Sequence, residues 1–94
     1  MQLIGLPILY QFIEKHNDCG QQISAWIAET REAEWNTPND IKSRYVNASF
    51  LPDNRVVFNI KGNKYRVDTK IYYLHQMVIV KRIGTHDEYD GWRF

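Results

Sequence analysis

Two short segments of this chain carry the side chains best suited to chemistry. The first, FNIKGNKYRV, places Lys61, Lys64 and Arg66 around a Gly-Asn pair. The second, GTHDEYD, places His86 three residues before Tyr89. An arginine can donate two parallel hydrogen bonds to an anion and stays charged at any relevant pH, whereas a histidine can exchange a proton near neutral pH. These residue types predict a site that holds an anionic group and moves protons.

The first segment has the pattern of a β-hairpin whose loop is Gly62 and Asn63. In that register Lys61 pairs with Lys64, Asn59 with Arg66, Val57 with Asp68, and Arg55 with Lys70. One face of the hairpin then carries polar and mostly basic residues: Arg55, Asn59, Lys61, Lys64, Arg66, Asp68 and Lys70. The other face is mainly apolar: Val56, Phe58, Ile60, Tyr65, Val67, Thr69 and Ile71.

A second two-residue turn at His75 and Gln76 would place Lys70 opposite Lys81 and extend the basic face. Like charges side by side across strands destabilise a sheet by up to roughly 1 kcal/mol per pair. A polyanion lying over the face would relieve this repulsion. The pattern therefore favours a phosphate-binding surface, and the alternative is a solvated lysine-rich face.

The charges of the whole chain are segregated in the same sense. Residues 1–40 hold two basic and six acidic side chains, and residues 41–82 hold nine basic and two acidic ones, although the net charge is only +1. Such asymmetry indicates a basic working face and an acidic back. The counts alone fit two solvated surfaces equally well.

The first half of the chain is predicted to supply helices. Pro7 suits a first helical position, apolar residues follow at helical spacing as far as His16, and Gly20 is expected to cap the C-terminus. His16 is expected to close the packed face of this helix and to have no chemical role. A second helix is indicated by four residues at helical spacing: Ile23, Trp26, Ile27 and Thr30.

A third, short helix is indicated by Thr37, Pro38 and Asp40, which have the pattern of a capping box. From residue 55 the apolar period changes to two, and strands are predicted over residues 55–61, 64–74 and 77–83. The predicted fold is α+β: an N-terminal helical pair and a short third helix pack on one face of a three- to four-stranded antiparallel sheet, and the other face stays open. Residues 1–94 are expected to form a single domain.

Composition restricts where the protein acts and what it binds. Cys19 is the only cysteine, which favours a reducing, cytoplasmic compartment. No apolar run approaches the roughly 20 residues that span a bilayer, and the N-terminal segment lacks the features of a signal peptide, so we expect no membrane partner. The histidines and the cysteine are dispersed and no acidic cluster faces the basic strands, so we also expect no metal and no cofactor.

The combination of VVFNIKGNKYRV and IGTHDEYD resembles the HigB toxins of bacterial type II toxin–antitoxin systems, within the RelE-like superfamily. The resemblance extends over nearly the whole chain, including the early helical pair and the NDIK segment. It implies a RelE-like mRNA interferase, an endoribonuclease that cleaves mRNA, typically on the translating ribosome. It also implies neutralisation by a cognate antitoxin, typically a HigA-like helix-turn-helix protein.

With this resemblance, four residues are candidates for catalysis: Arg66, His86, Tyr89 and Lys61. Arg66 would stabilise the phosphorane, His86 would act as acid or base, and Tyr89 would stack on a base or share proton transfer. Five further residues are candidates for RNA binding: Arg55, Asn59, Lys64, Lys70 and Lys81.

Each assignment has a structural alternative. Arg66 could pair with Asp68 or Asn59 across the strands, and His86 could cap a turn. For the whole chain, the alternative is a non-catalytic RNA- or ribosome-binding module that uses the same basic face.

Overall fold

The computed structural model describes residues 1–94 as a mixed five-stranded sheet with three helices on one face and a fourth helix after the last strand. The chain order is β1 (Gln2–Ile4), α1 (Leu6–Lys15), one turn of 3-10 helix (Asn17–Cys19), α2 (Gly20–Glu32), α3 (Pro38–Arg44), β2 (Ser49–Leu51), β3 (Arg55–Ile60), β4 (Tyr65–Tyr72), β5 (Met77–Thr85) and α4 (His86–Asp90). None of these helices is long and apolar enough to cross a membrane.

The sheet confirms the α+β prediction, but it contains more strands than predicted and is mixed, not wholly antiparallel as predicted. The spatial order is β1-β5-β4-β3-β2, with β1 parallel to β5 and every other pair antiparallel. The two unpredicted strands, β1 and β2, each have only three residues. The predicted count of three to four strands was therefore wrong. Three residues are too few to show the alternating pattern by which a strand is recognised in a sequence.

The core lies between the sheet and the helical face. Leu9 of α1, Ile23 and Trp26 of α2 and Ile41 of α3 pack with the buried residues of β3, β4 and β5. The predicted capping box at the start of α3 is confirmed, with Thr37 and Asp40 bonding each other's backbone. The prediction that Gly20 caps the C-terminus of the first helix is wrong, because Gly20 has a right-handed helical backbone conformation (φ −58°) and is the first residue of α2.

The predicted register of the β3–β4 hairpin is confirmed, with Arg55 opposite Lys70 and Asn59 opposite Arg66. The ladder ends one pair earlier than predicted, so Lys61 and Lys64 lie in the turn. Lys61 has φ 54°, a left-handed conformation that interrupts the alternation of a strand. Its side chain therefore does not continue the face that carries Arg66.

The predicted pairing of Lys70 with Lys81 is wrong. Residues 73–76 form a four-residue loop, and an irregularity next to Asp68 shifts the register, so that Lys70 lies opposite Ile79 and Lys81 has no partner on β4. The loop is fixed by Gln76, whose side-chain amide donates to Trp35 O at 2.7 Å. Neither the bulge nor this distant anchor leaves a local signal in the sequence.

The expectation of an open second sheet face is also wrong, because α4 and residues 91–94 cover much of it. Asp68 and Val57 point to this face, and both have 0% exposure. Trp92 packs so tightly on Gly84 that a Cβ added there would lie 2.8 Å from Trp92 Cζ2. The C-terminal segment is thus a fixed part of the domain.

Candidate active site

The end of the sheet where β4 begins and β5 finishes brings three of the predicted catalytic residues together. Arg66 lies opposite Gly84 in the β4–β5 ladder. One residue later Thr85 caps the N-terminus of α4, since its Oγ accepts from Glu88 N at 3.2 Å and its own N–H donates to Glu88 Oε1 at 2.9 Å. This capping box turns the chain sharply and fixes where His86 begins the helix.

Arg66 is the centre of the cluster and is only 8% exposed. Its Nη1 donates to Asn63 O at 2.6 Å, and its Nη2 lies 3.2 Å from His86 Nδ1. Its guanidinium carbon lies 5.1 Å from the centre of the Tyr89 ring. The fold thus brings Arg66, His86 and Tyr89 together around one guanidinium.

The contact between Arg66 and His86 defines how the histidine is oriented. A guanidinium has only donors, so His86 Nδ1 accepts, and a neutral ring carries its proton on Nε2. This Nε2 lies 3.8 Å from Asp90 Oδ2, one helical turn away, and the His86 side chain is 55% exposed. The arrangement places a cation that can bind a phosphate oxygen beside an exposed histidine. Nε2 can accept a proton only when Nδ1 carries the ring proton, so proton transfer at Nε2 requires Arg66 Nη2 to leave Nδ1.

The fourth predicted catalytic residue, Lys61, lies in a different cluster. Asp18, in the link between α1 and α2, accepts from Lys61 Nζ at 3.3 Å and from Lys64 Nζ at 2.7 Å. It also accepts from Tyr65 Oη at 2.7 Å. The hydrogen bonds from Lys64, Tyr65 and Lys61 hold the pKa of Asp18 well below its ordinary value, and Asp18 in turn raises the pKa of Lys64. The hairpin turn therefore has an acidic partner that its local sequence does not show.

The remaining RNA-binding candidates are dispersed. Arg55 forms an ion pair with the buried Asp68, which also accepts from Arg82 Nε at 2.8 Å. Asn59 donates to Asn47 O at 2.9 Å. Lys70 lies on the face of Arg55, and its Nζ is 5.6 Å from the Tyr72 ring centre. Lys81 is exposed at the bulge of β5, next to a groove along α1.

A second groove adjoins the Arg66 cluster. It has a volume of ≈ 430 Å³ and is lined by His16, Lys64, Tyr65, Thr85, His86 and Asp87. The backbone fixes one end of it, because His86 N–H donates to Lys64 O at 3.0 Å. Of the RNA-binding candidates, Lys64 is the one that lines this groove with His86.

Sequence patterns do not anticipate three residues that shape this region: Asp18, Arg82 and Trp92. Asp18 is distant in sequence from the lysines it binds, and Arg82 faces Asp68 only because of the bulge. Arg82 also stacks under Trp92, with 4.4 Å from its guanidinium carbon to the ring centre. No three His, Cys, Asp or Glu side chains come together in a group that could hold a metal ion.

Comparison with known proteins gives one family. The family model described as HigB_toxin, RelE-like toxic component of a toxin-antitoxin system, matches residues 19–92. A search of curated proteins found no match to the chain. The matched segment includes Arg66, His86 and Tyr89 together with the whole sheet except β1.

Proposed function

The chain belongs to the HigB family of RelE-like toxins, the toxic components of toxin–antitoxin systems, and we propose that it is a metal-independent endoribonuclease that cleaves mRNA. The observation that carries this proposal is the contact of 3.2 Å between Arg66 Nη2 and His86 Nδ1. It joins a fixed phosphate-binding cation to a group that can transfer protons. Tyr89 lies against the same guanidinium, which completes a site of three functional groups.

Cleavage of RNA without a metal requires three events at one phosphodiester. The ribose 2′-oxygen loses its proton and bonds to phosphorus, charge develops on the non-bridging oxygens, and the bond from phosphorus to the 5′-oxygen breaks as that oxygen gains a proton. We assign the developing charge to Arg66, because a preorganised donor stabilises such charge most effectively. We assign one proton transfer to His86 Nε2, which accepts a proton once Arg66 Nη2 has turned from Nδ1 to the phosphate and Nδ1 carries the ring proton. We place Tyr89 against a base or in the other proton transfer.

We propose that the RNA backbone follows the basic residues that surround this cluster. Lys64 is the best placed, since it lines the groove with His86 and its side chain is 57% exposed. Lys61 would act beside it, as a catalytic or an anchoring residue. Arg55, Asn59, Lys70 and Lys81 are candidates for contacts further along the RNA, and RNA would compete with Asp68 for Arg55.

The biological setting follows from the family. A toxin of a toxin–antitoxin system has an antitoxin partner, and we propose a HigA-like helix-turn-helix protein in that role. We further propose that the substrate is mRNA on the translating ribosome and that the toxin acts in the cytoplasm.

The experiment is cleavage by the purified full chain, of free RNA in EDTA and of mRNA on ribosomes in a buffer that contains Mg²⁺, followed by analysis of the RNA ends. We expect a 2′,3′-cyclic phosphate and a 5′-hydroxyl, which are the products of attack by the 2′-oxygen. Arg66→Ala, verified as folded, is the control for contaminating nucleases. Specific binding with RNA intact under all these conditions would instead support a non-catalytic RNA- or ribosome-binding module.

A further inference from the structure

The groove between the end of α1 and the start of α4 contains a histidine that the mechanism above does not use. His16 follows the last residue of α1 and lines this groove together with His86 and Lys64. It lies outside the segment that matches the family model. A volume of ≈ 430 Å³ is within the range of about 300–1,000 Å³ typical of small-molecule sites.

The ring of His16 is already part of an aromatic stack. It lies nearly parallel to Phe12, with ring centres 4.3 Å apart and planes at 21°. Tyr65 meets both rings edge-on, at 5.5 Å from His16 and 5.4 Å from Phe12. Because His16 is half-buried and lines the groove, a further flat ring can add to the stack from the groove side.

The surroundings of His16 favour stacking over proton transfer. A histidine that transfers protons is usually held by a hydrogen bond at its second nitrogen, as Arg66 holds His86. The His16 ring makes no hydrogen bond and no ion pair. Only its backbone does, with the N–H donating to Phe12 O at 2.9 Å and the carbonyl accepting from Cys19 N at 3.3 Å and from Cys19 Sγ at 3.0 Å. What fixes this ring is aromatic contact on its face and edge.

We propose that this groove holds one nucleotide of single-stranded RNA and that its base stacks on His16. The proposal rests on the proposed function, since it places this nucleotide next to the phosphodiester bound by Arg66 and His86. Lys64, whose side chain is 57% exposed and whose Nζ also binds Asp18, supplies a cation for its phosphate. Stacking accepts every base, because each has a π-face, so the subsite contributes affinity and position rather than sequence preference.

The test separates binding from cleavage by using a short oligoribonucleotide with 2′-O-methyl riboses, which cannot form the 2′-oxyanion. His16→Ala is expected to weaken its binding to the full chain by roughly 5-fold or more, the low end for loss of one base–aromatic stack. His16→Phe keeps a flat ring and is expected to retain most of the affinity. His75→Ala is the matched control, since His75 is exposed in the loop before β5. This loop lies at the opposite end of the β4–β5 ladder from Tyr65 and Thr85, which line the groove.

A scan with single abasic nucleotides identifies the stacked base. For the wild type, one abasic position is expected to weaken binding by the same factor as His16→Ala, and for His16→Ala that position is expected to lose its effect. The proposal would be overturned if His16→Ala, with an unchanged melting temperature, weakened binding by the same factor for every abasic oligonucleotide. A His16→Ala variant that binds the oligonucleotide as tightly as the wild type would also overturn it. So would a cleavage assay on unmodified RNA in which His16→Phe abolishes cleavage and His16→Ala does not slow it. These results would leave cleavage by the wild type, and hence the proposed function, intact.

Discussion

Arg66 is the residue on which the proposed chemistry depends most, because its guanidinium connects the hairpin turn, His86 and Tyr89. The hairpin pattern predicts which face it occupies but not its burial, which results from α4 and the C-terminal segment folding over that face. A buried guanidinium with fixed partners changes little in position during a reaction. Such preorganisation is what makes an electrostatic contribution to catalysis large.

Replacement of Arg66 is expected to slow cleavage strongly. Arg66→Ala removes the donor to the phosphorane, and loss of such a donor commonly costs about 10²–10³ in rate. Arg66→Lys is expected to recover only part of this loss, because an ammonium group cannot make the two parallel hydrogen bonds. Single-turnover cleavage measures both effects, with circular dichroism as the check of folding. A rate for Arg66→Ala equal to that of the wild type would remove Arg66 from the site.

Replacement of His86 distinguishes proton transfer from a capping role. His86→Gln keeps hydrogen bonding near Arg66 but cannot titrate, so cleavage is expected to slow by about 10²–10⁴ while RNA binding persists. His75→Gln is the matched control. A His86→Gln variant that cleaves at the wild-type rate and is merely less stable would show that the histidine only begins α4.

At the scale of elements, the β3–β4 hairpin shows how far sequence patterns reach. Alternation of apolar and polar residues predicts its register, because a shift of one residue would place Phe58 and Val67 on the wrong face. The same pattern cannot predict Asp18 as the partner of Lys61 and Lys64, since that contact depends on how the α1–α2 link packs against the turn. The apparent excess of positive charge in the hairpin is therefore partly neutralised by a distant residue.

The Asp18 cluster gives a prediction about stability at low pH. Lys64, Tyr65 and Lys61 lower the pKa of Asp18 in the folded protein. The contribution of Asp18 to stability is therefore fully present at a pH above its ordinary pKa of 3.8, and it is lost as the pH falls through the lowered pKa of the folded protein. Asp18→Asn is expected to lower the melting temperature at neutral pH, and the difference from the wild type is expected to shrink as the pH falls below about 4.

Asp53→Asn is the matched control, because it makes the same replacement of a carboxylate by an amide in the exposed turn before β3. Melting curves followed by circular dichroism across this pH range give the comparison. A difference between wild type and Asp18→Asn that stays constant down to the lowest pH would contradict the role assigned to the carboxylate.

On the second face of the sheet, Asp68, Arg55 and Arg82 form a cluster of charges that is covered by the C-terminal segment. The sequence pattern alone predicts that this face is exposed to solvent. Asp68 is fully buried between Arg55 and Arg82, and both arginines stack on Phe94, with 5.1 and 5.0 Å from guanidinium carbon to ring centre. The bulge in β5 directs Arg82 to this cluster, and a bulge has no reliable signal in a single sequence. The C-terminal aromatic residues thus pack on cations that Asp68 holds in place.

Removal of this buried carboxylate is expected to destabilise the domain. Asp68→Asn leaves two arginines without their anionic partner, and breaking a buried pair in this way costs about 3 kcal/mol. Glu32→Gln, at the exposed end of α2, makes the same chemical change on the surface and is expected to alter stability by less than about 0.5 kcal/mol. Urea denaturation provides both values. Equal stability of the two variants would show that Asp68 does not hold the C-terminal segment.

At the scale of the whole molecule, the segregation of charge is real but less simple than the counts suggest. The acidic first half does not form a uniform back: Asp18 reaches the hairpin turn, and Glu29 accepts from Arg44 Nη2 at 2.6 Å. The basic strands likewise divide into an Asp18 cluster, an Asp68 cluster and the Arg66 cluster. Only the last combines a nearly buried cation with an exposed histidine, and the proposed active site depends on this combination.

The central claim is that Arg66 and His86 act as one unit on one phosphodiester, and a double-mutant cycle of cleavage rates tests it most directly. The single-turnover rates of wild type, Arg66→Ala, His86→Gln and the double variant are measured with the same RNA, free or on ribosomes, under the condition in which the wild type cleaves it. Residues that act as a unit are strongly non-additive, so the double variant is expected to be about as slow as the slower single variant. Losses that multiply in the double variant, or wild-type cleavage by all three folded variants, would contradict the claim.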